Sequence, residues 1–258
     1  MFLPIGDRPN PPGIPVVTYA LIAANVAAFL LLNVPLGSRQ ADVSSPAFRE
    51  YVELMGRELE GRVDVRELAA QTSAFDLFSF EHGYRPASPQ VMDLLSGMFL
   101  HGSLMHLFGN MLFLWIYGDN VEDVLGHARY LLFYLLAGVA AGLLQVAFNW
   151  DSRVPMIGAS GAIAGVMGAY LIKFPRARIL TLIPVFVFFT TVEVPAVFIL
   201  LYWFVIQFFS GVGSIGYSHL SQGGVAWFAH IGGFVAGMIL ILVMGTRDPY
   251  ARRRDLHW

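Results

Sequence analysis

The feature that most constrains this chain is a series of apolar runs, most of them long enough, or nearly so, to cross a lipid bilayer. A helix needs about 20 consecutive apolar residues to span the hydrocarbon core. Five runs approach or reach that length: Val16–Leu32, Tyr130–Phe148, Ile157–Phe174, Val194–Phe209 and Val225–Met244. A sixth, Leu104–Tyr117, is shorter but can be extended at both ends. Since 56% of the residues are hydrophobic and 13% charged, we expect an all-α polytopic membrane protein with six transmembrane helices.

Basic residues in short loops predict the orientation of these spans. The runs are numbered in chain order from here on. Lys173, Arg176 and Arg178 lie at or just after the end of run four, Ile157–Phe174, and Arg247 with 252–254 follows run six, Val225–Met244. Because short cytoplasmic loops are rich in Lys and Arg, both ends should be cytoplasmic, and with six spans the N-terminus is cytoplasmic too.

This orientation divides the chain into three parts. Residues 1–14 form a short N-terminal tail, 15–245 the six-helix domain, and 246–258 a basic cytoplasmic tail expected to contact membrane lipids. Within the domain, 36–93 becomes a long external loop between helices one and two. Its six Arg and ten Asp or Glu carry little weight for orientation in so long a loop.

Three segments between the runs have features of their own. Ile179–Val192 is apolar but only 14 residues long and contains Pro184, so we expect an interfacial or re-entrant segment rather than a span. Residues 40–70 predict an amphipathic surface helix in the external loop. The 211–224 connection has five glycines and is either a mobile lid over a wet cavity or a plain flexible loop.

Polar residues inside spans are costly and are therefore functional candidates. Runs two, four and six all enter the membrane from outside in the predicted orientation, and each has polar residues near its start. These residues are His106, Asn110, Ser160 and His230, with His101 just before run two. They should lie at a similar depth. His106 and Asn110 are four apart and share a helix face, and Ser103 is placed to cap that helix.

Glycines predict close packing of helices four and six. Gly161 and Gly165 have GxxxG spacing, and Gly233 and Gly237 repeat it in run six. Such faces allow near backbone contact, which brings Ser160 within hydrogen-bond reach of a histidine. Each feature alone has an ordinary explanation, because small-residue ridges mostly pack helices and a lone serine usually bonds back to its own helix. Their joint placement favours a nucleophilic serine.

Four motifs together resemble the rhomboid family of intramembrane serine proteases. They are GASG at 158–161, AHIGGFVAG at 229–237, HGSLMHLFGNM at 101–111 and YGDNVEDVLGHARY at 117–130. The resemblance covers roughly residues 93–245 and implies a six-helix rhomboid bundle. It also implies an intramembrane serine endopeptidase that cleaves single-pass membrane proteins in or near their transmembrane segment, without a cofactor or metal.

The resemblance assigns a role to each motif residue. Ser160 would be the nucleophile and His230 the general base and acid. His106 and Asn110, with the Ser160 backbone N–H, would form the oxyanion site. Glu122 and Arg129 of the fourth motif are expected to make only a loop contact and to cap helix three.

One departure from the family concerns the alignment of His230. Many rhomboids have an aromatic residue one turn after the serine, on which the histidine stacks, but this chain has Ala164 there. No Asp or Glu lies at the depth of His230, so the sequence favours a dyad whose histidine is oriented by packing. Phe228 is the candidate for that packing.

Other classes of function fit less well. A catalytically inactive, client-binding relative is the nearest alternative, although such relatives usually lack the serine or the histidine. A transporter would spread histidines through the whole depth of the bundle, and a zinc protease would show HExxH.

Partners and location follow from composition. The chain has no cysteine and a net charge of −2, which excludes thiol catalysis and gives no sign of a nucleic-acid partner. A bacterial-type cell membrane is the expected location, because no organelle presequence precedes the first span. The oligomeric state stays open.

Overall fold

The computed structural model describes residues 3–8, 10–58, 63–185, 188–214 and 225–246. Within these ranges the chain is mostly helical and has a small sheet. The helices are α1 (Val16–Ala28), α2 (Val34–Gly37), α3 (Pro46–Glu58), α4 (Val65–Gln71), α5 (Ala74–His82), α6 (Val91–Gly97), α7 (Leu104–Leu125), α8 (His127–Phe148), α9 (Ser160–Lys173), α10 (Ala196–Ser214) and α11 (Trp227–Val243). A π-helical turn, Phe29–Asn33, joins α1 to α2. The strands are β1 (Leu3–Arg8), β2 (Arg178–Val185) and β3 (Phe188–Pro195).

Each of the six predicted apolar runs overlaps a helix: α1, α7, α8, α9, α10 or α11. Three helices in the described part of the chain are long and apolar enough to cross a membrane: Val16–Gly37, His127–Phe148 and Ala196–Ser214. Two others, α9 and α11, are apolar but shorter. The count of six crossings and the cytoplasmic position of both termini stay predictions.

A three-stranded antiparallel sheet shows that the all-α prediction was wrong. The strand order is β1-β2-β3, with β1 in the expected N-terminal tail and a β2–β3 hairpin in the apolar segment expected to be interfacial or re-entrant. A segment of this length is too short to cross as a helix. The hairpin pairs its backbone groups instead, for example Ile179 with Val194, which satisfies donors and acceptors that an apolar environment would leave unpaired.

Asp7 ties the sheet to the helices. Its carboxylate, only 7% exposed, accepts hydrogen bonds from Asn120 Nδ2 at 2.8 Å and from the Tyr170 hydroxyl at 2.5 Å. These partners lie near the C-terminal ends of α7 and α9. A buried carboxylate persists only when it is hydrogen-bonded in this way.

The long loop between the first two predicted spans folds into four helices, α3 to α6. The amphipathic helix predicted for residues 40–70 is present as α3 and α4, with 59–62 outside the described residues. One face of α3 buries Phe48 and Leu54, and Phe48 packs with Ala41 and Leu77 in a small separate core.

Helix α9 forms the centre of the bundle. Every residue from Ala162 to Leu171 is buried, and the helix packs against α7, α8 and α11. Its contact with α11 has backbone against backbone, as the glycine spacing predicts. A Cβ built on Gly233 would lie 1.9 Å from the carbonyl oxygen of Gly161, and one on Gly237 would lie 1.9 Å from that of Gly165. Only glycine permits this separation.

Candidate active site

The segment before α9 places Ser160 at the start of the central helix. Met156 exchanges two backbone hydrogen bonds with Tyr84, of 2.8 and 3.0 Å, and the Gly158 N–H donates to the Gly97 carbonyl at 2.8 Å. Gly158 has φ 117°, a conformation that favours glycine. Ser160 is then the first residue of α9, where backbone N–H groups have no partner within the helix.

His230 lies in the first turn of α11, directly opposite Ser160. Its Nε2 is 2.8 Å from Ser160 Oγ. The start of α11 is held by Gln145 of α8, whose Oε1 accepts a 3.0 Å hydrogen bond from the Ala229 N–H. The structure therefore brings the predicted serine and histidine into hydrogen-bond contact. At this distance an imidazole nitrogen can accept the hydroxyl proton.

A side chain absent from the sequence prediction contacts the other nitrogen of His230. Gln207 of α10 places its Oε1 2.7 Å from His230 Nδ1, and Gln207 is only 6% exposed. The ring centroid of Trp203 lies 5.8 Å from that of the His230 imidazole. The ring centroid of Trp227 lies 6.3 Å from it, with the two rings nearly perpendicular. His230 is thus contacted by α10 as well as by α9.

The prediction that Phe228 packs on His230 was wrong. Its ring stacks instead on Phe148 of α8, with 4.2 Å between centroids and 2° between planes. Position 228 directs its side chain to α8 because it lies two residues before the histidine on α11, about 200° around the helix.

His106 and Asn110 lie beside Gly158, two residues before Ser160. A Cβ at Gly158 would lie 2.7 Å from His106 Nε2 and 3.6 Å from Asn110 Nδ2. Among the described residues, Asn110 Nδ2 is buried and has no hydrogen-bond acceptor. The predicted cap of this helix is confirmed, since Ser103 Oγ accepts a 3.1 Å hydrogen bond from the His106 N–H. His101 is buried with its ring 5.0 Å from that of His106.

A small cavity of about 50 Å³ adjoins Ser160. Much of its wall consists of glycine and alanine, including Gly138, Ala141, Gly142, Gly161, Ala162 and Ala229. A cavity of this volume has room for a water molecule or a small side chain.

Glu122 and Arg129 lie away from this cluster, at the other end of α7 and the start of α8. The Glu122 carboxylate accepts hydrogen bonds from the backbone N–H groups of Val17 and Thr18, at 2.8 and 2.7 Å, and from the Thr18 hydroxyl at 2.7 Å. It therefore caps α1, and it also contacts Nδ1 of His127, the first residue of α8. The sequence predicted only a loop contact and a cap on helix three for Glu122 and Arg129, so the contact at the start of α8 agrees with the prediction and the cap on α1 was not foreseen. Arg129 donates to the Gly245 carbonyl at 2.9 Å. Across the described residues, no group of three or more His, Asp or Glu side chains is arranged to hold a metal ion.

Two intramembrane amides, Gln207 and Gln145, were missed by sequence reasoning. Each is a lone amide within the apolar part of its helix, the same signal that identified Asn110. The amide itself is visible in the sequence. Its partner on α11 is not, because the sequence does not show which residues of α11 face it.

Comparison with known proteins shows which family the chain resembles. The sequence profile of the Rhomboid domain matches residues 88–247. The chain is 32% identical over 157 residues to RHOMBOID-like protein 4 of Arabidopsis thaliana, covering 61% of this chain and 35% of the relative. It is 30% identical over 159 residues to Rhomboid protease GluP of Bacillus subtilis, covering 62% and 25%. It is 30% identical over 164 residues to RHOMBOID-like protein 6, mitochondrial, of Arabidopsis thaliana, covering 63% and 47%.

The matches thus span less than half the length of these relatives. Because one relative is named as mitochondrial, the similarity does not support the expectation of a bacterial-type cell membrane. The matching profile covers more than half of the chain and includes all four residues of the predicted site. The chain is a membrane protein that belongs to the rhomboid family.

Proposed function

We propose that this protein is an intramembrane serine endopeptidase that cleaves single-pass membrane proteins in or near their transmembrane segment. The observation that carries the proposal is the 2.8 Å contact between His230 Nε2 and Ser160 Oγ. This pair lies where α9 and α11 meet at backbone distance, so its geometry is held by the closest helix contact in the central bundle.

In the proposed first step, Ser160 Oγ attacks the carbonyl carbon of the scissile peptide bond. The hydroxyl proton passes to His230 Nε2, and a tetrahedral oxyanion forms. His230 then gives this proton to the departing amine, so that the C–N bond breaks and an acyl-enzyme remains. Water, deprotonated by the same nitrogen, attacks the ester and releases the acid and the free serine.

Asn110 and His106 are the proposed stabilisers of the oxyanion, together with the Ser160 backbone N–H. A buried amide donor without an acceptor is unfavourable in a resting protein. Asn110 Nδ2 is such a donor, next to the loop that carries the serine. A fixed donor of this kind stabilises charge that develops only in the transition state.

The small cavity beside Ser160 supports the hydrolytic step, since it offers a place for water next to the nucleophile. Residues 211–224 were expected to form either a mobile lid or a plain flexible loop. Residues 211–214 are the last turn of α10, and 215–224 lie outside the described residues, so both alternatives stay open.

To test this function, the purified protein is reconstituted into lipid vesicles with a panel of tagged single-span membrane proteins, and their cleavage is measured. Wild type should generate discrete cleavage products that map to the transmembrane segment or its edge, and Ser160→Ala should generate none. Equal products from wild type and Ser160→Ala would refute the proposal. If substrates bind both proteins and neither cleaves them, the alternative of an inactive client-binding relative replaces it.

A further inference from the structure

Helix α10 buries only a narrow stripe, and one member of that stripe is polar. Its buried residues are Ala196, Leu200, Gln207 and Gly211, whereas Ile206 and Phe208 on either side of Gln207 are exposed. A polar side chain on the inward stripe of an apolar helix needs a partner. Gln207 has one in His230.

We propose that Gln207 is a positioning residue, which fixes the tautomer and ring orientation of His230 so that Nε2 faces Ser160 as a proton acceptor. The inference rests on the proposed protease function for its catalytic meaning. It assigns to an amide on α10 the part that an acidic residue plays in a serine-histidine-aspartate triad.

The two contacts of the His230 imidazole, with Gln207 and with Ser160, determine its tautomer. A neutral imidazole has one N–H donor and one acceptor nitrogen. When the Gln207 Oε1 at 2.7 Å accepts the hydrogen of Nδ1, Nε2 is left with its lone pair. That lone pair lies 2.8 Å from Ser160 Oγ, which is the arrangement that a general base requires.

An amide suits this position better than a carboxylate. An isolated ionised group in an apolar setting is far more costly than a hydrogen-bonded neutral one. Gln207 supplies the acceptor oxygen without a charge, in a helix whose other faces are apolar.

Ring orientation depends on α10 because α9 supplies no ring of its own. Ala164, one turn after the serine, is fully buried and has no ring to offer the imidazole. Gln207 and Trp203, four residues apart and therefore on one face of α10, contact the imidazole in place of such a ring.

The test measures two quantities, the tautomer of His230 and the rate at which Ser160 is labelled. The full chain, labelled with ¹⁵N-histidine in detergent, is examined by NMR, with His230→Ala to assign the His230 signals. Wild type should show His230 protonated at Nδ1. Gln207→Leu, which removes the acceptor at similar volume, should shift His230 toward a mixture of tautomers. It should also slow labelling of Ser160 by a fluorophosphonate probe about tenfold, the effect of losing one hydrogen bond.

Two further variants separate positioning from packing. Gln207→Glu keeps an acceptor oxygen, although a buried carboxylate lowers stability at this position. It should therefore restore the Nδ1–H tautomer and much of the labelling rate when the rate is expressed per folded molecule. Phe204→Leu is the matched control, because Phe204 packs on Phe234 with 4.9 Å between centroids but makes no hydrogen bond to the imidazole. It should leave the tautomer unchanged.

The proposal is overturned if Gln207→Leu keeps the wild-type tautomer and labelling rate, or if wild type is protonated at Nε2. It is also overturned if Phe204→Leu shifts the tautomer as much as Gln207→Leu does. If wild-type protein does not react with the probe, the protease function fails. The tautomer comparison still decides the role of Gln207 in that case.

Discussion

Replacing Gly233 by alanine should separate the proposed catalytic pair. The new Cβ would lie 1.9 Å from the Gly161 carbonyl oxygen, whereas a carbon and a carbonyl oxygen rest at about 3.3 Å. The two helices must therefore part by about 1.4 Å at this point. Since Gly161 and Gly233 are neighbours of Ser160 and His230 on the same helices, the 2.8 Å contact should lengthen to about 4 Å, beyond hydrogen-bond range.

The expected result is a large loss of reactivity with a smaller loss of stability. A misplacement of about 1 Å can lower a catalysed rate about a hundredfold, and overpacking typically costs about 1–3 kcal/mol. The assay compares the rate of fluorophosphonate labelling and the thermal unfolding midpoint in the same detergent. Gly109→Ala of α7 is the matched control, because a Cβ there has nothing within 4 Å, and it should label at the wild-type rate. If Gly233→Ala is labelled at the wild-type rate, the contact between the glycines does not set the distance between Ser160 and His230.

Three other substitutions test separate parts of the account. Asn110→Ala should reduce substrate cleavage about a hundredfold without lowering the unfolding midpoint, because its Nδ2 has no partner to lose among the described residues; a matching loss of stability would assign it a structural role instead. Ser103→Ala removes the cap that accepts from the His106 N–H and should lower stability by about 1 kcal/mol in thermal denaturation, while Ser103→Asp should retain it. Glu122→Ala leaves the first N–H groups of α1 unpaired and should destabilise by about 2 kcal/mol or more. Labelling per folded molecule should stay unchanged, since Glu122 lies about 24 Å along α7 from His106 at 1.5 Å per residue; a selective loss of labelling would contradict that assignment.

The Ser160–His230 contact could be predicted because its determinants are local. Glycine spacing on two helices predicts close packing, and the predicted orientation puts the polar residues at one depth. Neither step needs knowledge of distant contacts. The same reasoning predicted the Ser103 cap, which depends on residues three apart in the chain.

The sheet was missed because its first partner is remote in sequence. Arg8 pairs with Arg178 and Leu3 with Leu182, so the partners of β1 are 170 or more residues away along the chain. Residues 178–185 have the β-branched and aliphatic content of a strand. Apolar character alone, however, did not separate a β-hairpin from an interfacial or re-entrant segment.

Gln207 shows a different limit of sequence reasoning. An amide within an apolar helix is a visible signal, but its meaning depends on which face of α10 is buried and on what lies opposite. The same holds for Gln145, whose partner is the Ala229 backbone N–H of α11. A backbone partner leaves no trace in the residue types of a sequence.

The most direct test of Ser160 and His230 as a catalytic pair is to identify the residue that reacts with a fluorophosphonate probe. Purified full-length protein in detergent is labelled, digested and mapped by mass spectrometry, with Ser160→Ala and His230→Ala treated in parallel. We expect a single adduct on Ser160 in wild type and almost none in either variant, because the hydroxyl is reactive only when His230 can take its proton. An adduct on Ser160 that forms equally fast in His230→Ala, or a folded wild type that forms none, would contradict it.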